Sequence, residues 1–194
     1  MKRNIYISFI QSESFNYKFK MLDKYKGRKY KFSDESYDIT LPQDTPTEES
    51  LLKLAKNIAH SEVTIVFITR GVLESAWIPL EVKYSLELPG DINKASTHKG
   101  ILAVVIPDKG NNYGYALEQG KKGLWRPIPG VLPAIITDNM FNEKNIQNKY
   151  NVHYESYISV YRWEELLRSF DYIVEAAYNK ATNFFDEYNV TTDL

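Results

Sequence analysis

The chain has 194 residues, of which 43% are hydrophobic and 14% aromatic, and its 24 basic residues nearly balance its 25 acidic ones. This composition excludes disorder as the main state, and the balanced charge argues against a nucleic-acid or anionic-membrane surface. Cysteine is absent, which excludes disulfides and thiol nucleophiles and is typical of a reducing compartment. We therefore expect a cytoplasmic protein that acts on small molecules or proteins, with neither nucleic acid nor membrane as a partner.

The first part of the sequence predicts a strand followed by a helix. Residues 4–10 are mostly apolar, which predicts a strand, and the polar residues 11–14 predict a loop after it. Phe15, Phe19 and Leu22 then recur at helical spacing. We expect a first helix that carries these residues and ends near residue 25.

A second strand and a well-marked helix follow. Residues 30–36 predict a weaker strand. Thr45, Pro46 and Glu48 match a capped helix start, with a capping threonine, a proline in the first turn and a glutamate that closes a capping box. The apolar stripe of residues 51–59 predicts the body of this helix.

Two fully apolar runs predict the centre of the fold. Residues 63–68 (VTIVFI) and 101–106 (ILAVVI) are typical of strands buried on both faces of a parallel sheet, and a helix separates them. Strands that alternate with helices in this way predict an α/β fold with a doubly wound, mainly parallel, flavodoxin-like sheet. The ligand site of such a sheet lies at the carboxyl ends of its strands.

The chain divides into a predicted α/β core over residues 1–107 and an extension over residues 108–194 that packs on the same domain. The extension begins with an irregular segment that is rich in glycine, proline and asparagine, within which Ile135 and Ile136 predict a short edge strand. A last strand is expected over residues 157–161. Helical sequence follows from about residue 164 to 187, with a break near residues 169–171.

The common nucleotide and metal motifs are missing. The sequence has no GxGxxG fingerprint and no Walker lysine loop. His60, His98 and His153 are scattered without a second ligand at helical or hairpin spacing, so we assign no metal site.

The pair Trp77 and Glu81 remains as a candidate site. Pro79 has no backbone donor and must lie in the first turn of its helix, which places Glu81 one turn in, on the same face as Trp77. The helix dipole favours the ionised carboxylate there, whereas burial beside an indole disfavours it. A core tryptophan beside a solvated acid is the ordinary interpretation of such a pair.

These residues resemble the catalytic region of TIR domains, through Ser75, Trp77 and Glu81 in the order S-x-W-x-x-x-E after a central strand. Other segments extend the resemblance to the TIR-like proteins of bacterial Thoeris antiphage systems. They are the first strand ending in Ile7, Ser8 and Phe9, the segment Phe32, Ser33 and Asp34, the capped helix, and the region of Trp163, Glu164 and Glu165. The resemblance covers residues 2–106 most fully and implies a TIR-like fold.

The resemblance also implies an enzyme that cleaves the nicotinamide–ribose bond of NAD and makes an ADP-ribose-derived, cyclic signal. NAD is then the substrate, and no cofactor is needed. Glu81 is the implied catalytic residue, Phe9 and Trp77 the expected walls of the NAD site, and Ser8 and Asp34 its polar contacts. The implied partner is an effector protein reached through the diffusible nucleotide; a phage-derived trigger and an oligomer are both left open.

Two alternatives stand beside this hypothesis. The first is a catalytically silent TIR-like interaction module, in which Glu81 is merely solvated and the aromatic-rich loop and final helices bind proteins. The second is a nucleoside deoxyribosyltransferase-like enzyme, which also places an acid beside a sugar in an α/β sheet. Consumption of nucleosides would support the deoxyribosyltransferase-like enzyme. Absence of any turnover would support the interaction module.

Overall fold

The computed structural model describes residues 2–25, 27, 29–33, 46–87, 98–120, 123–144 and 155–194. The strands of this part of the chain are β1 (Arg3–Ser8), β2 (Tyr30–Phe32), β3 (Val63–Ile68), β4 (Gly100–Val105), β5 (Leu117–Gln119), β6 (Trp125–Pro127) and β7 (Ser159–Arg162). The α-helices are α1 (Gln11–Tyr25), α2 (Glu48–Ala59), α3 (Ile78–Leu86), α4 (Ala134–Thr137), α5 (Trp163–Arg168) and α6 (Phe170–Asn183), and 3₁₀ helices cover Arg70–Glu74 and Phe185–Glu187. None of these helices is long and apolar enough to cross a membrane.

The main sheet has five strands in the order β2-β1-β3-β4-β7, and every neighbouring pair is parallel. β5 and β6 form a separate antiparallel pair. All six residues of β3 and of β4 are buried, which explains why their sequences are continuously apolar. This confirms the predicted doubly wound, mainly parallel α/β fold.

Helices cover both faces of the sheet, and strand alternation decides which residue faces which helix. On one face the ring centroids of Phe67 and Trp163, the first residue of α5, lie 5.9 Å apart. On the other face the hydroxyls of Thr64 and Ser85, in α3, lie 2.7 Å apart. Tyr6 of β1 is paired with Thr64, so Tyr6 and Ser8, two residues further on, point to the α3 face.

The first helix differs from its prediction in both its start and its buried face. It begins at Gln11, within the expected polar loop, where the Ser14 hydroxyl and amide both donate to the Ile10 carbonyl. Phe15 and Phe19 are 43% and 42% exposed and contact each other, with ring centroids 4.5 Å apart. The buried side of the helix is instead formed by Ser14, Lys18, Met21, Leu22 and Tyr25.

The second helix is capped two residues later than predicted. Thr47 is the N-cap; its hydroxyl accepts from the Ser50 amide at 3.3 Å, and the Ser50 hydroxyl accepts from the Thr47 amide at 2.9 Å. Glu48 is therefore the first helical residue and does not close the capping box. Thr45 lies outside the described residues.

The extension contains more regular structure than the sequence predicts. Ile135 and Ile136 lie in the short helix α4, which follows Pro133, so the predicted edge strand at these two residues is wrong. Both side chains are buried in the core that also contains α3 residues, and this burial explains their apolar character. β7 pairs with β4 as the fifth strand, and Ser169 separates α5 from α6.

We predict that Gly100→Ala destabilises the fold, because a Cβ at Gly100 would lie 2.4 Å from the backbone carbon and oxygen of Ala177 in α6. The backbone of α6 would have to move, and overpacking of this kind costs about 1–3 kcal/mol. Urea unfolding followed by circular dichroism measures the loss. Gly114→Ala, where the new methyl meets the exposed Asn112 side chain, is the control, and equal stability of the two variants would contradict the prediction.

Candidate active site

The start of α3 is built by the residues of the S-x-W-x-x-x-E motif. The Ser75 hydroxyl accepts from the backbone amides of Trp77 and Ile78 at 3.3 and 3.2 Å, which satisfies two donors that a helix start leaves open. Pro79 lies in the first turn, as its missing donor requires. The Glu81 amide then donates to the Trp77 carbonyl at 2.9 Å, so Glu81 is one turn into the helix as predicted.

Trp77 anchors this helix start on the sheet. It is half-buried and packs with Leu80 and Tyr84 of the same helix against a small core cluster of Tyr6, Leu54 and Ile58. The indole thus packs against a cluster whose residues come from β1 and α2. This contact fixes the position of Glu81 relative to the carboxyl end of β1.

Glu81 is held by two hydroxyl groups of β1. The Tyr6 hydroxyl donates to Oε1 at 2.6 Å, and the Ser8 hydroxyl donates to Oε2. The glutamate is only 8% exposed. On the helix side the Ser85 hydroxyl donates to the Glu81 carbonyl at 2.8 Å.

The surroundings of Glu81 oppose its ionisation. Burial raises the pKa of Glu81 to about 7, although the hydrogen bonds from Ser8 and Tyr6 pull that pKa downward. Burial, together with the Glu81 charge, also raises the pKa of Tyr6, so the phenol is a proton donor at neutral pH. Burial of the carboxyl therefore outweighs the two hydrogen bonds that favour its ionised form. A carboxyl with such a pKa is present in both protonation states near neutral pH.

The predicted site residues do not all come together. Ser8 contacts Glu81 directly, and Trp77 lies beside it through Tyr6. Phe9 instead packs against the large core cluster, and the buried Lys18 ammonium lies 4.5 Å from its ring centroid. Burial lowers the pKa of Lys18 to about 8. Asp34, the other predicted polar contact, lies outside the described residues.

Tyr6 is the site residue that the sequence analysis missed. It lies within the mostly apolar run of residues 4–10, which predicts a strand and not a functional group. A signal was present in the period-two spacing of Tyr6 and Ser8, which places both hydroxyls on one face of a strand. The position of the accepting carboxylate became visible only with the packing of α3.

The described ranges contain no group of three or more histidine, aspartate or glutamate side chains that could hold a metal ion. Within the same ranges, both side-chain partners of Glu81 are hydroxyl groups. The arrangement presents a single carboxyl, fixed at the carboxyl edge of the sheet, that can stabilise positive charge when ionised.

We compared the sequence with known protein families and the structure with solved structures. The family described as Thoeris protein ThsB, TIR-like domain, matches residues 6–111, which is just over half of the chain. This chain belongs to the Thoeris ThsB TIR-like family. The matched segment contains Tyr6, Ser8 and Glu81 together. Among solved structures, the chain is similar to the TIR domains of the activated Roq1 resistosome directly recognizing the pathogen effector XopQ. The two chains are 14% identical, and the alignment has a TM-score of 0.34. It covers 91% of this chain and 84% of that chain.

We predict that Glu81 makes this TIR-like domain less stable as the pH rises from 4.5 to about 7. In that window the folded state holds a proton that the unfolded state has released, so the free energy of unfolding falls with rising pH. A shift from 4.5 to about 7 corresponds to a loss on the order of 3 kcal/mol, at about 1.4 kcal/mol per pKa unit.

Urea unfolding of wild type and Glu81→Gln across this pH range measures the effect. The variant should gain stability relative to wild type at about pH 8 and not at about pH 4, because it has no carboxyl to ionise. Glu87→Gln, at the exposed end of the same helix, is the control and should follow wild type. The same pH dependence in wild type and Glu81→Gln would contradict the raised pKa.

Proposed function

We propose that this protein is an NAD-cleaving TIR-like enzyme of antiphage defence, which converts the ADP-ribose part of NAD into a cyclic signal that activates a partner effector. The observation that carries the proposal is the buried Glu81 carboxyl, fixed by Tyr6 and Ser8 at the carboxyl edge of the sheet. Membership of the Thoeris ThsB TIR-like family supports the same conclusion. NAD is the substrate, and the reaction needs no resident cofactor.

The chemistry of NAD explains how one carboxyl can suffice. Glycosidases generally need an acid to protonate the leaving alkoxide and a second carboxylate at the sugar. The nicotinamide ring of NAD is already cationic, and it leaves as a neutral molecule when the bond from ribose C1′ to the ring nitrogen breaks with its electron pair. Ionised Glu81 would stabilise the positive charge that then develops on the ribose.

The raised pKa of Glu81 fits this role because the substrate itself carries the opposite charge. A cationic nicotinamide near the carboxyl favours the ionised form and lowers the pKa of Glu81 in the complex. The resting protein would thus hold the carboxyl partly protonated, and substrate binding would complete its ionisation. A nucleophile within the ADP-ribose must then reach C1′ before water does, which releases a proton and closes the cyclic product.

One observation favours the silent interaction module as the second candidate. Both oxygens of Glu81 already accept hydrogen bonds, and the side chain is almost fully buried, so the expectation that Glu81 is merely solvated in such a module is wrong. A structural carboxyl that joins β1 to α3 would have the same contacts. The two candidates differ in turnover, because a structural carboxyl has no reaction to lose.

We predict that Glu81→Gln abolishes release of nicotinamide from NAD while the fold is retained. Loss of the electrostatic stabilisation by Glu81 should lower kcat by on the order of 10²–10³-fold or more. Chromatography and mass spectrometry of the products measure nicotinamide together with any cyclic ADP-ribose species, with and without lysate of phage-infected cells. Glu87→Gln is the matched control and should keep the activity of wild type.

Three outcomes separate the hypotheses. Nicotinamide with a product of cyclic ADP-ribose mass, absent with Glu81→Gln, supports the proposed enzyme. Intact NAD in every condition, with folded protein, contradicts it and supports the interaction module. Consumption of nucleosides in place of NAD would support the deoxyribosyltransferase-like alternative.

We further predict that kcat/KM for NAD rises with pH through about 7 and then levels off, because the ionised form of Glu81 is the active one. Tyr6→Phe removes a hydrogen bond that lowers the pKa of Glu81, so its inflection should move to higher pH. Tyr84→Phe, which changes a phenol in the same cluster, should leave the inflection in place. A profile that falls through this range would mean that protonated Glu81 is the active form.

A further inference from the structure

A second polar feature lies at the carboxyl edge of the sheet, in a cleft of about 330 Å³. Thr69 and Arg70, which follow β3, line it together with Asp108 and Tyr115 beyond β4 and Glu13 of α1. Its volume is at the lower end of the range for small-molecule sites. The cleft therefore has the size for a ligand fragment such as a mononucleotide.

The cleft holds a cation in a fixed position. Nε and Nη2 of Arg70 lie 2.8 and 2.7 Å from Oδ2 of Asp108, and the guanidinium carbon lies 5.0 Å from the centroid of the Tyr115 ring. The Tyr115 hydroxyl in turn lies 2.8 and 2.7 Å from the carbonyl oxygens of Ile68 and Ile106, which share its single proton. The Arg70 side chain is still 63% exposed, so its planar guanidinium remains open to an anion.

Two further groups in the cleft suit the sugar of a nucleotide. The Glu13 carboxylate accepts from the Gly71 amide at 3.1 Å, which fixes one of its oxygens beside the loop. A carboxylate accepts hydrogen bonds only, and ribose hydroxyls can donate them. Thr69 is only 6% exposed, and its hydroxyl has no hydrogen-bond partner in the described part of the chain. Such an unsatisfied group calls for an explanation, and a bound ligand would supply one.

The spacing of Ser8 and Thr69 along the carboxyl ends of β1 and β3 suits a dinucleotide. Ser8, which contacts Glu81, is paired with Val66 on the neighbouring strand, and Thr69 lies three extended residues beyond Val66. Strand spacing and rise per residue then separate the Ser8 and Thr69 backbones by about 11 Å. Two riboses joined by a diphosphate span a distance of this order.

We propose that this cleft binds the nucleoside monophosphate half of NAD, the half that is not cleaved, while the nicotinamide ribose lies at Glu81. The inference rests on the proposed function and names where the rest of the substrate binds. Arg70 contacts the phosphate and Glu13 the ribose hydroxyls. Ile106 and Pro107 form the apolar part of the lining against which the rest of the nucleotide packs.

Binding to Glu81→Gln protein tests the proposal without depending on turnover. Calorimetry would compare NAD, nicotinamide mononucleotide and AMP, since nicotinamide mononucleotide carries the same scissile bond but lacks the AMP half. When Arg70→Gln is added to the Glu81→Gln protein, binding of NAD and of AMP should weaken about tenfold or more, as expected for loss of a charge-assisted hydrogen bond. Binding of nicotinamide mononucleotide should weaken less. AMP should compete with NAD.

Two control variants distinguish the effect of the Arg70 charge from the effect of its ion pair with Asp108. Asp108→Asn breaks the exposed pair with Arg70 but leaves the guanidinium, so it should bind NAD and AMP at least as well as its parent. Arg168→Gln removes another exposed arginine, outside the cleft, and should have no effect. Thermal unfolding confirms that each variant is folded.

The outcomes distinguish this inference from the proposed function. Equal weakening of NAD and nicotinamide mononucleotide by Arg70→Gln, or no weakening of either, overturns the cleft assignment. AMP that binds without competing with NAD also overturns it and indicates a separate nucleotide site. If NAD binding shows the expected selectivity but wild type releases no nicotinamide, the cleft assignment stands and the proposed catalysis fails.

Discussion

The pair of hydrogen bonds from β1 to the buried Glu81 carboxyl is the constraint around which this site is organised. Tyr6 and Ser8 can reach it only because strand alternation turns both toward α3. Ser75 and Pro79 set the start of that helix, and Trp77 packs against the cluster of Tyr6, Leu54 and Ile58. Each residue of the sequence motif thereby contributes to the position of one carboxyl.

Ionisation of Glu81 destabilises the folded protein through burial of the charge, although it strengthens the two hydrogen bonds themselves. A buried carboxylate without a cationic partner is unfavourable, and two neutral donors offset only part of that cost. The part of this cost that the two donors do not offset appears as the raised pKa of Glu81. A positively charged substrate ring would supply the missing partner. Under the proposed function, the free-energy cost of ionising Glu81 and the affinity for the cationic ring of NAD thus share one physical cause.

The elements that local chemistry decides were predictable from the sequence, and those that tertiary packing decides were not. Pro79 forces Glu81 into the first turn of its helix through covalent structure alone. The apolar runs likewise identified the central parallel strands. Tyr6 was missed because its role depends on where α3 docks. In α1, Lys18 is buried while Phe15 is exposed, an arrangement that hydrophobic periodicity does not predict.

The most direct test of this account is a carbon-13 NMR titration of the Glu81 carboxyl, assigned by its absence from Glu81→Gln protein. We expect a midpoint near 7 in the free protein. We also expect the midpoint to fall when a non-cleavable NAD analogue with a cationic nicotinamide ring is bound. A midpoint at the ordinary glutamate value, or a raised midpoint that the analogue leaves unchanged, would contradict a carboxyl held ready for the nicotinamide ribose.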